Sequence, residues 1–163
     1  MVDDAGSAAR RELLAHLREM LKAVRLLKND MSTQHPDVPA GTLSVLALID
    51  AMGGEPAAPG CHVKDLAARS SLDPSTVSRA VAAVVRAGLV ERTADPHDGR
   101  ASVLGLTPAG RRSLDDAMAW TDDRLAGALE KWNPEDISVF TALLQRFSAD
   151  LMSHHHRPLE AAR

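Results

Sequence analysis

Residues 63–92 read VKDLAARSSLDPSTVSRAVAAVVRAGLVER. Two short amphipathic segments flank a tight connection. In the first, Val63, Leu66 and Ala67 fall on one helical face. The connection is SSLD. Asp73 then stands as an N-cap with Pro74 at the first helical position, where a missing backbone N–H costs nothing. In the second segment Val77, Ala80, Val81 and Val84 turn inward, and Ala87-Gly88 ends it because glycine accepts the left-handed cap conformation. Two helices joined by so short a turn make a helix-turn-helix.

The outward face of the second helix points to a use. Ser75, Thr76, Ser78 and Arg79 occupy its first two turns, and none of them is acidic. Short hydroxyl side chains let a helix approach a groove closely, and they donate to phosphates or base edges. An arginine grips guanine O6 and N7 with two bonds. The N–H groups at the helix start also suit a phosphate. An ordinary solvated face would more often carry Glu and Lys pairs.

Residues 90–106 follow directly. Two strand-like runs, 90–94 and 101–106, enclose the tip DPHDGR, residues 95–100. Asp98-Gly99 is a strong turn signal. A hairpin after a helix-turn-helix is a wing. Arg100, just past the turn, suits a narrow, electronegative minor groove. Asp98 carries the wrong charge for phosphate, so it is read as holding the loop or aiming Arg100. His97 is open between a backbone contact and a bystander.

Charge supports this placement. The chain of 163 residues has a formal net charge of −3. Residues 62–112, however, hold eight basic and five acidic side chains, and the remainder holds eleven and seventeen. A basic middle in an acidic frame fits a local polyanion site on an otherwise acidic surface. The 45% hydrophobic content is ordinary for a globular chain with a core. No apolar run approaches membrane-helix length, and the N-terminus lacks the pattern of a secretory signal, so the expected location is the cytoplasm. With no tyrosine and few aromatics, stacking on single strands is disfavoured.

The ends are helical. Residues 1–10 read as a frayed start. Leu13, Leu17, Met20, Val24, Leu27 and Met31 then recur at alternating steps of four and three, with Leu14 and Leu21 widening the seam. Such a seam packs on its own domain or on another subunit. A buried helix over TLSVLALIDAMGG, a loop at EPAAPG and a very short strand at Cys61-His62-Val63 precede the helix-turn-helix. Thr107-Pro108 and Asn133-Pro134 each open a further helix. Ile137, Phe140, Leu143, Leu144, Phe147 and Leu151 stripe the last one. The expected parts are an N-terminal helix, 1–34; a DNA-binding lobe, 41–106; C-terminal helices, 107–152; and a loose tail, 153–163.

Over LAARSSLDPSTVSRAVAAVVRAGLVERTADPHDGRASVLGLTPAGR the chain resembles the MarR family of winged helix-turn-helix regulators. The resemblance rests on Asp98-Gly99-Arg100 in the wing, the AGLVER junction and the LTPAG exit. It is specific over about residues 63–112, and the helix order extends it along most of the chain. It implies a mainly α fold: a winged helix-turn-helix with a helical dimerisation layer from the N- and C-terminal helices. It also implies a homodimer on a pseudo-palindromic double-stranded DNA operator. Family members mostly repress transcription, and many release DNA when a small molecule, often phenolic, enters a cleft. On this pattern Pro74, Ser75, Thr76, Ser78 and Arg79 fall where members read the major groove, and Arg100 where the wing enters the minor groove. Leu21, Val24, Leu46 and Met52 are cleft candidates, but as bulk apolar residues they fit a core as well.

Other signals are weaker. Peroxide-sensing relatives place a reactive cysteine near the first helix. Here the single Cys61 lies elsewhere, which favours incidental use. His154–His156 lack partners at metal-ligand spacing, so no metal or cofactor is expected. No phosphate loop, Ser-x-x-Lys or His-Glu-x-x-His occurs, and an enzyme is not expected. A winged helix used for protein contacts would present an apolar or acidic recognition face, unlike this one.

Overall fold

A computed structural model describes residues 2–39, 41–53, 61–70, 72–95 and 101–155. The elements run α1 (Val2–Gln34), α2 (Leu43–Gly53), α3 (Val63–Ser70), α4 (Pro74–Arg86), β1 (Val90–Ala94), β2 (Ser102–Leu106), α5 (Pro108–Leu129) and α6 (Pro134–His155). The chain forms two compact units, Met1–Thr121 and Asp122–Arg163.

The first unit is built around α2, α3, α4 and the hairpin. Leu46, Ile49, Leu66, Val77, Val81, Val84, Leu104 and Leu114 are fully or almost fully buried in one core. Both helix-turn-helix elements enter it by the faces their periodicity predicts; Ala80 packs at its edge. α4 ends as its glycine requires. Gly88 adopts φ +70°, and the Leu89 N–H donates back to the Val84 carbonyl at 3.0 Å. β1 and β2 pair antiparallel from Val90↔Leu106 to Ala94↔Ser102.

The strand expected at 61–63 shrinks to one residue. Cys61 bridges Leu104, whose N–H donates to the Cys61 carbonyl at 2.8 Å. The next carbonyl, that of His62, already accepts from Asp65 and Leu66, so α3 begins before a strand can extend. The wing is thereby sewn to the start of α3. Its exit is pinned as well. The Thr107 N–H donates to the Leu89 carbonyl (3.1 Å), and Thr107 Oγ1 donates to the Gly88 carbonyl (2.7 Å) while accepting from the Gly110 N–H (3.0 Å). An Asp50–Arg111 ion pair ties α2 to the first turn of α5.

α1 differs from the expected frayed start, since its helix begins at Val2. Along this 33-residue helix Met31 is the one buried hydrophobic side chain among the described residues. Leu13, Leu14, Met20, Leu21, Val24 and Leu26 are 39–58% exposed. The chain's own core does not cover this seam.

The second unit holds the last turns of α5 and α6. Asn133 caps α6 reciprocally: its Oδ1 accepts from the Asp136 N–H, and its Nδ2 donates to Asp136 Oδ2, both at 2.8 Å. Trp132 and Phe140 meet edge to face with centroids 5.7 Å apart. Val139, Phe140, Leu143, Leu144, Leu151 and Met152 are exposed. α6 runs to His155, past the expected boundary at residue 152, and residues 156–163 lie outside the described residues.

Candidate nucleic-acid interface

The first turn of α4 is organised by one carboxylate. Asp73 Oδ1 accepts from the Thr76 N–H at 2.9 Å and from Ser75 Oγ at 2.5 Å, and Oδ2 accepts from Thr76 Oγ1 at 2.5 Å. The bonds from Ser75 and Thr76 favour the charged form and hold the Asp73 carboxyl well below the usual carboxylate range. This changes two expectations. The helix start already has its anion in Asp73, so a free cradle of N–H groups for phosphate is not what it presents. Two of the hydroxyls assigned to the groove are also engaged in capping, so reading DNA with them means giving up those bonds or accepting through their remaining lone pairs.

Arg79 lies on the same face, one turn along. Its Nε donates to the Ser75 carbonyl and one terminal nitrogen donates to Ser75 Oγ, both at 3.3 Å. Ser75 Oγ thus relays between Asp73 and Arg79, donating to one and accepting from the other. The guanidinium is held along the exposed face and not extended at random. Pro74, Ser75, Ser78 and Arg79 are exposed, and Thr76 is half-buried. All five therefore lie on the first two turns of α4, opposite the face that Val77, Val81 and Val84 lock into the core. His97, Asp98 and Arg100 lie outside the described residues; the strands that carry their loop are described as far as Asp95 and from Ala101.

The base of the wing carries a contact that sequence spacing did not announce. His62 Nδ1 lies 3.1 Å from the Ser102 carbonyl oxygen, and His62 Nε2 lies 3.2 Å from Asp95 Oδ2. These residues are remote along the chain, so no local pattern could pair them.

The cleft candidates differ in burial. Leu46 is in the core and Met52 packs against it, whereas Leu21 and Val24 are exposed on α1. Cys61 is fully buried, with its thiol 3.9 Å from Met52 Sδ. Burial, then the charge of Asp65, pushes that thiol up to about 11. Little thiolate is present at neutral pH, which suits a packing role.

The chain has relatives in both sequence and fold. A sequence model of the MarR family matches residues 37–101. The HTH-type transcriptional regulator BilQ of Clostridium symbiosum (strain WAL-14163) is 30% identical over 100 residues, covering 59% of this chain and 67% of BilQ. The chain belongs to the MarR family. The HTH-type transcriptional regulator YxaD of Bacillus subtilis (strain 168) is 36% identical over 87 residues, 53% of this chain. That match spans 61% of YxaD, less than two thirds of its length. A MarR family protein from Bacillus stearothermophilus has the same fold, with a TM-score of 0.74 over 90% of this chain and 97% of that one, at 23% identity. The mainly helical architecture with a two-stranded wing is therefore that of the MarR family. Among the described residues no helix is long and apolar enough to cross a membrane.

Proposed function

We propose that this MarR-family chain binds double-stranded DNA sequence-specifically and regulates transcription from the cytoplasm. The observation that carries the reading is the first two turns of α4. A rigid helix, locked to the core by three valines, presents Pro74, Ser75, Ser78 and a tethered Arg79 to solvent beside a wing. α4 would enter the major groove, with Arg79 reading a base edge, and Arg100 would reach the adjacent minor groove. Asp98 and His97 belong to the same wing tip, Asp98 shaping it.

The working form is a homodimer. Exposed apolar faces on α1 and on α6 are too large to leave in water, and a second copy offers the matching faces. Two lobes related by a twofold axis would read a pseudo-palindromic operator and repress by occupying a promoter. The family resemblance extends this to release by a small molecule, often phenolic, with no cofactor. The test is to recover fragments of the source genome retained by the purified chain and place them before a reporter. Enrichment of promoters whose output falls with the chain present supports the reading; enrichment of none would refute it.

A further inference from the structure

We propose that His62 is a positioning residue for the wing, and that it works as a protonated imidazolium clamp between Ser102 and Asp95. The inference rests on the hairpin being a DNA-contacting wing.

His62 stands between the Cys61–Leu104 bridge and the first residue of α3. Its ring reaches both strands at the end where they leave for the tip: the Ser102 carbonyl on β2, and the Asp95 carboxylate just beyond β1. The Asp95 N–H in turn donates to the Ala101 carbonyl at 3.1 Å and closes the last described rung of the hairpin. One side chain therefore fixes the wing's root against α3, and α3 packs on α4. The placement of the described strand ends, Asp95 and Ser102, relative to α3 and α4 is set through this joint.

The partners dictate the protonation state. A carbonyl oxygen and a carboxylate oxygen both accept hydrogen bonds, so each ring nitrogen must carry a proton to bond them together. A neutral ring can satisfy one partner and turns a lone pair toward the other. The side chains of His62 and Asp95 are only 16% and 12% exposed, so water cannot readily replace a lost bond. The clamped form holds one proton more than the neutral ring, so it is present at lower pH and lost as pH rises.

Among the described residues, Asp95 is the carboxylate that faces the ring from the wing. β2 carries no ionisable side chain, and Glu91 and Arg92 on β1 are exposed nearer its other end. On α3, Lys64 and Asp65 follow His62 closely and Arg69 lies further along. Cys61 stays neutral until about pH 11.

A wing loosened at its root must be ordered on binding, and the entropy lost weakens the complex. The test uses the full chain, His62→Gln and Asp95→Asn, at about pH 6 and about pH 8. Amide hydrogen exchange at Asp95 and Leu104, corrected for the intrinsic pH effect, reports the joint. Binding to a duplex that the wild-type chain selects from a random pool reports its consequence. From low to high pH, wild-type protection at these amides and affinity should each fall about ten-fold or more, the size of one hydrogen bond to a charged group. In both variants protection should be low and nearly pH-independent, and affinity should be low and keep only the pH dependence that groups other than His62 supply, while α4 amides keep wild-type protection. His97 remains in every variant, so any direct effect of its charge on DNA persists and is subtracted. Protection unchanged with pH in the wild type, or His62→Gln retaining the wild-type pH profile, would overturn the clamp. PH-dependent protection with pH-independent affinity would overturn its positioning role. If no duplex is selected at either pH, the DNA-binding reading fails and the exchange data still decide the clamp.

Discussion

The Cβ that Gly110 lacks would sit 1.9 Å from the carbonyl oxygen of Leu89. That carbonyl also accepts the Thr107 N–H, and beside it Thr107 Oγ1 bonds the Gly88 carbonyl. The exit of α4, the entry to β1 and the start of α5 thus meet in one tightly packed joint, and Gly110 lets the backbones close on each other. Backbone cannot swing aside as a side chain can. Gly110→Ala should destabilise the chain by about 3 kcal/mol, or about 6–12 °C in Tm for a domain of this size. Thermal unfolding at neutral pH checks this; an unchanged Tm would mean the joint is loose.

Asp73 should make stability depend on acidity. Its folded carboxyl titrates below the usual carboxylate range, so its contribution is present above that range and lost as pH falls through it. Asp73→Asn retains an oxygen for the Thr76 N–H but lacks the charge. Urea unfolding should show the wild type more stable than Asp73→Asn at neutral pH, with the difference shrinking below about pH 4. Asp73→Ala should be the least stable of the three at neutral pH, because it also removes the side-chain acceptor of the Thr76 N–H and leaves that group only its 3.0 Å bond to the Asp73 carbonyl.

Arg79→Ala should cost about 1–3 kcal/mol of binding and relax base choice at one or two positions per half-site. Binding profiles over single-base variants of a selected duplex measure this. Uniform loss across all variants would assign Arg79 to phosphate. Ser75→Ala should give a smaller loss at the same positions, because it removes the hydroxyl against which Arg79 rests.

The exposed stripes of α1 and α6 predict a dimer. Light scattering should give twice the 17.4 kDa of one chain at micromolar concentration. Phe140→Asp with Leu144→Asp should lower that mass toward a monomer, because charges cannot be buried on an apolar face. A monomeric wild type would remove the need for a partner.

Local signals in the sequence marked most boundaries. Asp73-Pro74, Gly88, Thr107-Pro108 and Asn133-Pro134 each impose a backbone constraint within a few residues, and each marks a helix end in the structure. Periodicity located the core face of α4 for the same reason. Contacts between remote positions left no such trace: His62 with Asp95, Asp50 with Arg111, Gly110 with Leu89. The fate of the Ser75 and Thr76 hydroxyls was hidden too, since composition gives a side chain's chemistry and not its rotamer. Residues 2–10 carry no apolar stripe, so their continuation of α1 had no signal. Leu21 and Val24 read as core by hydropathy, but the surface that would bury them is not supplied by this chain's core.

The most direct test of the central claim is selection of duplexes from a random double-stranded pool by the full-length chain, followed by sequencing. We predict enrichment of inverted half-sites with centres about 10 base pairs apart, flanked by A·T-rich segments where the wings reach. Retained duplexes with no shared sequence, or no retention above the unselected pool, would contradict it.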